Sequence, residues 1–488
     1  MTLLSTDPHH TSVRSYDTLF IGGRWEKPST DRRIEIISPT LEEVLGSVPE
    51  AGVEDIDKAV AAARHAFDHG PWPRMAPAER AGYLTRISEE LTKRVPEMAA
   101  TFTAELGAPS ALSTAFNVWG TVAWNDAATL HERFAWEEER AWEGGSARVR
   151  NVPVGVVATI IPWNGPVAAA SLKLAPPLAA GCTVVLKLAP EGPGSALLLA
   201  EAIEAAGLPE GVISIVPGGR EVGDHLVRHP GIDRVAFTGS TDAGKKVMAA
   251  CADRITRVGL ELGGKSAGII LDDMPLDDAL ATIIGGGVGH SGQVCAAITR
   301  VLVSRDRLAE FEEKAASQLS AMTVGDPFDP ATVLGPLAAE RQRDRVEGYL
   351  RRGRDEGARV VTGGGRPAHL DRGWFIEPTL FSEVDNTMAI AREEIFGPVL
   401  VVIPFRDEDE AVAIANDSDY GLSGAVYSQD VDAAFRVAGR LRTGQVSINS
   451  TAQCVVQPFG GFKRSGLGRE GGLEGFHEFF ESQVILGP

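Results

Sequence analysis

Cysteine is scarce in this chain. Its four cysteines, Cys182, Cys251, Cys295 and Cys454, are too few and too scattered among 488 residues for a disulfide framework, and none has the spacing of a zinc site. No metal is expected. Long cationic runs are also missing, and 66 acidic residues against 47 basic ones leave a net charge of −19. That balance excludes the basic footprint needed to hold nucleic acid or an anionic membrane surface. No apolar run is long enough to span a bilayer. Residues 151–172 are uncharged, but Pro162, Gly165 and Pro166 cut them in the middle, and glycines break 279–299. The N-terminus lacks a charged stretch followed by an apolar core, so no secretory signal is expected and the reducing cytoplasm is the expected compartment. About the first fifteen residues read as a mobile tail.

Strand and helix periodicities organise the remainder. Residues 19–25 predict a small hairpin and 34–39 a further strand. Residues 55–67, 77–94 and 110–140 carry apolar positions at three- and four-residue spacing and predict helices. The alternating polar stretch 146–152 suits an exposed strand, with 481–486 as its natural partner, and the two together suit sheet extension between subunits. From residue 154 to 252 apolar strands alternate with helices, the pattern of a parallel sheet covered on both faces. A second alternating region begins near Ser266, after Gly263-Gly264. Ligands on such sheets bind beyond the carboxyl ends of the strands.

Three polar groups stand beside glycines in this frame. Cys295 closes the glycine-dense stretch 285–295, followed by Ala-Ala-Ile, which predicts a helix start whose dipole would favour the thiolate. Simple burial of a small apolar residue is the competing reading for any one cysteine. Glu261, among small and apolar neighbours, could be a helix cap, a partner of Lys265, or a desolvated carboxylate with a raised pKa. Asn164, in the turn Pro162-Trp163-Asn164, could serve the turn alone or present its amide to an oxyanion. Strand 234–238 runs into Gly239-Ser240 and a helix, a phosphate-ready turn that is weak evidence by itself.

Together these stretches resemble the NAD(P)-dependent aldehyde dehydrogenase superfamily, in its hydrolytic branch, over essentially the whole length. The resemblance is carried by Pro162-Trp-Asn164, Phe237-Thr-Gly-Ser-Thr241, Glu261-Leu-Gly-Gly-Lys-Ser266, Gly292-Gln-Val-Cys295, Glu393-Glu-Ile-Phe-Gly-Pro-Val399 and Pro458-Phe-Gly-Gly-Phe-Lys463. It implies an α/β fold: a Rossmann-like cofactor domain (1–133 and 152–263), an α/β catalytic domain (264–467) and a small β oligomerisation arm (134–151 and 468–488). It implies Cys295 as nucleophile, Glu261 as general base, Asn164 as oxyanion donor, and Lys173 and Glu470 as a proton relay. Ile160, Pro162, Trp163, Lys187, Gly239, Ser240, Glu261, Leu262, Glu394 and Phe396 are implied at the cofactor. The partners implied are a small-molecule aldehyde and further copies of the chain, as a homodimer or homotetramer.

Two departures from the family pattern matter. The acid expected three residues after Lys187 is replaced by Pro190, with Glu191 one position late, which loosens the argument for NAD over NADP; NAD is still the preferred cofactor expected, and NADP remains possible. The segment 449–457, where relatives place pocket side chains, is small and slightly polar with no aromatic residue, and Cys454 within it fits either packing or the substrate tunnel. A cofactor-free Cys–Glu hydrolase and a catalytically silent relative are the rival readings. The Gly239 turn and Glu394-Ile-Phe396 stand against the first, and the intact Cys295, Glu261 and Asn164 against the second.

Overall fold

The computed structural model describes residues 13–487. The chain opens with the hairpins β1 (Leu19–Ile21) and β2 (Arg24–Glu26), then β3 (Arg33–Ile37) and β4 (Val44–Pro49). Helices α1 (Val53–Asp68), α2 (Pro77–Leu106) and α3 (Ser110–Arg133) follow, then β5 (Glu137–Trp142) and β6 (Gly145–Pro153). Residues 1–12 of the expected tail lie outside the described residues. Residues 13–15 are not loose: Val13 is buried and Arg14 pairs with Glu97 and Glu201.

The alternating region forms β7 (Val156–Ile160), α4 (Pro166–Ala180), β8 (Thr183–Leu188), α5 (Gly194–Ala206), β9 (Ile213–Pro217), α6 (Arg220–Arg228), β10 (Arg234–Thr238), α7 (Thr241–Ala252) and β11 (Arg257–Glu261). Its strands lie in the order β19-β11-β10-β7-β8-β9-β1-β2, parallel from β11 to β9. The margins are antiparallel: β1 and β2 on one side, and the late two-residue strand β19 (Gly466–Leu467) on the other. Strands β7, β8 and β9 are buried at every position, which explains their unbroken apolar runs.

Between Glu261 and Ser266 the chain crosses to a second sheet. This half holds β12 (Ser266–Ile270), α8 (Leu276–Val288), β13 (Ile298–Ser304), α9 (Leu308–Ser320), α10 (Glu340–Asp355), β14 (Arg359–Thr362), β15 (Thr379–Ser382), α11 (Ala389–Arg392), β16 (Val399–Phe405), α12 (Glu408–Asn416), β17 (Gly424–Tyr427), α13 (Val431–Ala438) and β18 (Ser447–Ile448). The order is β14-β15-β16-β13-β12-β17-β18, parallel apart from β14. After β19, α14 (Gly472–His477) leads into β20 (Phe480–Gly487).

Four expectations need correction. The helix predicted over 110–140 ends at Arg133, and 137–142 is a strand. There Phe134 and Trp136 pack against Phe476 and Phe480, and this anchorage turns the chain into β5. Strand β6 pairs with β20 as expected, but β5 covers its other side, so 146–152 is the centre of a three-stranded sheet and not an edge. Glycines 285–287 do not break the helix; they lie within the last turn of α8, which runs on to Val288. A Cβ on Gly287 would lie 2.5 Å from both Ile298 O and Leu400, and close packing on β13 and β16 outweighs the poor helix propensity. Finally, no helix begins after Cys295. Ala296-Ala-Ile enters β13, so no helix dipole faces the thiol.

Candidate active site

The carboxyl ends of β7, β10 and β11 face the loops of the second sheet across a cleft of about 680 Å3. Pro162, Trp163 and Asn164 line it from the turn after β7, and Thr238, Gly239 and Ser240 from the turn after β10. Leu262 and Gly263 follow β11, while Cys295, Glu394 and Phe396 enter from the second half. Stretches far apart in sequence are therefore brought to one wall-and-floor arrangement. Gln342 and Arg345 of α10 also line the cleft. Sequence reasoning missed both, because they sit on a helix whose charges read as a solvated face.

Glycines let the backbones meet. A Cβ on Gly264 would stand 2.4 Å from Cys295 O, and one on Gly292 (φ 72°) 1.9 Å from Gly397 O. Phe396, beside that contact, adopts a left-handed φ of 63°, and Trp163 meets its ring edge-to-face at 5.5 Å. The carboxylate of Glu394 accepts the Gly264 N–H at 3.0 Å. Arg345 holds the same segment through Glu394 O at 2.5 Å and Ile395 O at 3.2 Å. Ser240 caps α7, accepting from Ala243 N at 3.3 Å, and sets the helix's free N–H groups at the cleft. Aromatic walls, a carboxylate and a helix N-terminus in one cleft are the donor set for a dinucleotide, so the residues present fit the implied cofactor.

Burial pushes the Cys295 thiol up to about 12, and the nearby charges of Glu394 and Glu261 add to the rise. Backbone N–H groups of Cys295 and Ala296 work in the opposite direction. The resting thiol is thus protonated, against the expectation of a dipole-stabilised thiolate. Asn164 donates its Nδ2 to Gln293 O at 2.9 Å, two residues before the thiol.

Glu261, 4% exposed, sits at the end of β11 beneath the cleft. Burial holds its pKa well above the usual carboxylate range, Glu470 adds to this, and Lys173 and Arg469 oppose it. Its Oε2 has no hydrogen-bond partner among the described residues, and a Cβ on Gly460 would come within 2.7 Å of Oε1. Lys173, buried on α4, is ion-paired to Glu470, whose backbone is fixed by a bridge to Phe459. Such a buried, unpartnered carboxylate oxygen can take a proton from a nucleophile near neutral pH.

Ile160 and Lys187 do not line the cleft. Ile160 ends β7 and pairs with Lys187, the penultimate residue of β8, and both face Gly223 of α6, where a Cβ would lie 3.6 Å from Lys187 Cδ and 4.0 Å from Ile160. Burial lowers the Lys187 pKa to about 8, opposed by the charges of Glu191 and Glu50. Glu191 is fixed by an ion pair with Arg341. The region after Lys187 therefore does contain a carboxylate, one residue later than the family pattern and ion-paired to Arg341 of α10.

The profile of the aldehyde dehydrogenase family matches residues 25–485, and the chain belongs to that family of NAD(P)-dependent oxidoreductases. It is 46% identical to a geranial dehydrogenase of Castellaniella defragrans over 476 residues, 96% of this chain and 98% of that protein. It is 39% identical to the chloroplastic betaine aldehyde dehydrogenase of Beta vulgaris over 483 residues, 96% of this chain and 95% of that one. Among solved structures, the aldehyde dehydrogenase of Mycobacterium tuberculosis complexed with NAD+ superposes with a TM-score of 0.96 at 46% identity, covering 98% of this chain and 99% of that one. The α/β architecture is shared throughout.

Proposed function

We propose that the protein oxidises an apolar, uncharged aldehyde to its carboxylic acid with NAD as preferred hydride acceptor, through a thioester on Cys295. The observation that carries this reading is the meeting of Cys295, Asn164, Glu394 and Phe396 at one cleft, with the desolvated Glu261 behind it. Bound NAD supplies the hydride acceptor and a cationic ring whose charge favours the thiolate. Cys295 Sγ, its proton released to water, bonds to the carbonyl carbon, and one Asn164 N–H holds the oxygen as it becomes an oxyanion. Loss of hydride from that carbon leaves the thioester. Glu261 then takes a proton from water, the resulting hydroxide attacks, and the C–S bond breaks to release the acid. The Lys173–Glu470 pair stands next to Glu261 and passes that proton outward.

The preference for an apolar substrate is supported by the absence of aromatic residues from 449–457, since a cationic aldehyde is best held in an aromatic cage. Phe116 lies against the oxyanion turn, 3.1 Å from where a Gly165 Cβ would be, and its ring is tilted against that of Trp119 at 4.9 Å. The similar solved structure of the Pseudomonas syringae enzyme holds octanal. Residues 1–133 and 152–263, which supply every strand of the first sheet but β19, form the cofactor-binding part. The rest of 264–467 carries the nucleophile, and 134–151 with 468–488 forms an arm between subunits of a cytoplasmic homo-oligomer. No helix among the described residues is long and apolar enough to cross a membrane.

Cys295→Ala should abolish aldehyde-dependent cofactor reduction while leaving the dissociation constant for NAD nearly unchanged. More than a trace of oxidation by the purified variant would remove Cys295 from the nucleophile's role.

A further inference from the structure

We infer that His290 is a positioning residue for the Asn164 amide, acting through a closed ring of hydrogen bonds that joins the oxyanion turn to the nucleophile loop. The inference rests on Asn164 being the oxyanion donor. His290 Nε2 lies 3.1 Å from the main-chain oxygen of Asn164, an acceptor only, so the ring nitrogen carries the proton and donates. Asn164 Nδ2 donates to Gln293 O at 2.9 Å. Gln293 closes the ring, sending its backbone N–H and its Nε2 to His290 O, each at 3.1 Å. Its Oε1 is anchored by Ala338 N at 2.9 Å, and the side chain is wholly buried.

The ring has a chemical consequence. A primary amide carries two N–H bonds. One is committed to Gln293 O, which fixes the amide plane, and the other is left for the substrate oxygen. Without that restraint the amide would have to be ordered during the reaction.

The backbone supports the same reading. His290 and Ser291 are successive left-handed residues, with φ of 52° and 53°, although neither is glycine. Such strain persists only where surrounding contacts over-determine it. Ser291 Oγ donates to Gly335 O at 2.7 Å, and the imidazole packs among Phe102 at 5.6 Å and Phe116 at 5.8 Å. Burial lowers the His290 pKa to about 4, so the ring stays neutral through the physiological range.

The test uses His290→Phe, which keeps a ring between Phe102 and Phe116 but has no donor, and His290→Gln, whose amide nitrogen stands where Nε2 does and restores one. His290→Leu replaces His290→Phe if the latter does not fold. Rapid mixing with NAD and aldehyde should show the rate of the reduced-cofactor burst falling about tenfold to a hundredfold in His290→Phe, less than the roughly hundred- to thousandfold cost of removing an oxyanion donor outright, because the amide is loosened and not lost. Affinity for NAD and alkylation of Cys295 by iodoacetamide, neither of which uses the oxyanion site, should stay at wild-type values. His290→Gln should recover most of the burst rate. In an Asn164→Ala background, His290→Phe should slow the burst no further, because both act through one amide. A wild-type burst rate in folded His290→Phe, or effects of the two substitutions that simply multiply, would overturn the inference. If Asn164→Ala itself leaves the burst unchanged, the oxyanion assignment fails first.

Discussion

Glu191 shows how one residue can be misplaced by one position and still matter. Pro190 occupies the site where the family pattern puts an acid, and the sequence alone suggests a ribose pocket without a carboxylate. The structure places Glu191 near Lys187 and ties it to Arg341 of α10, a partner 150 residues away that no local motif could reveal. With the cofactor's ribose at Lys187, as the family resemblance implies, a 2′-phosphate there would meet the charge of Glu191. Glu191→Gln should lower the ratio of kcat/KM for NAD to that for NADP by about ten- to a hundredfold, the equivalent of one charge-assisted hydrogen bond of roughly 1.5–3 kcal/mol. The freed Arg341 would favour the phosphate further. Pro190→Glu should move the ratio less than Glu191→Gln does. A larger effect from Pro190→Glu would return the ribose to the position the family pattern gives it.

At the scale of elements, the parallel strands were legible because burial on both faces leaves continuous apolar runs, as in β7 and β8. What was illegible depended on contacts between distant segments. The end of α3 follows from Phe134 and Trp136 finding Phe476 and Phe480. The glycines of α8 serve its contact with β13 and β16, and the strand after Cys295 is set by pairing with β12 and β16. Cys295, Glu261 and Asn164 could be named from motifs, whereas His290, Gln342 and Arg345 needed the fold. Gly292 offers a test of how the nucleophile loop seats on the 394–398 segment. Gly292→Ala adds a methyl at φ 72° only 1.9 Å from Gly397 O, so something must move. We expect a loss of about 2–4 kcal/mol in stability, read by chemical denaturation, with a weaker affinity for NAD because Glu394 and Phe396 shift. Unchanged stability and affinity would show that the loop yields freely.

Over the whole molecule, two open sheets meet at the cleft while a third, β5-β6-β20, projects with apolar side chains in solvent. Trp142, Val484, Ile485 and Leu486 are all more than 45% exposed there, an arrangement suited to burial against another copy. Light scattering should give the wild type a mass that is a multiple of 51.7 kDa. The double substitution Val484→Asp and Leu486→Asp, two residues apart on one face of β20, should shift it toward a single chain. A wild-type chain that is already monomeric would contradict the arm's role.

The division of labour between Cys295 and Glu261 is the centre of this account, and Glu261→Gln tests it most directly. Hydride transfer needs the thiol, whereas release of the acid needs a carboxylate that accepts a proton from water. Removing the Glu261 charge also takes away one of the groups that raise the thiol's pKa, so attack should not be impaired. Rapid mixing of the variant with NAD and aldehyde should therefore show a burst of about one equivalent of reduced cofactor per site, followed by turnover slowed about a hundredfold or more. If the burst disappears together with steady-state turnover, Glu261 acts before hydride transfer, and the account of a thioester awaiting its base is wrong.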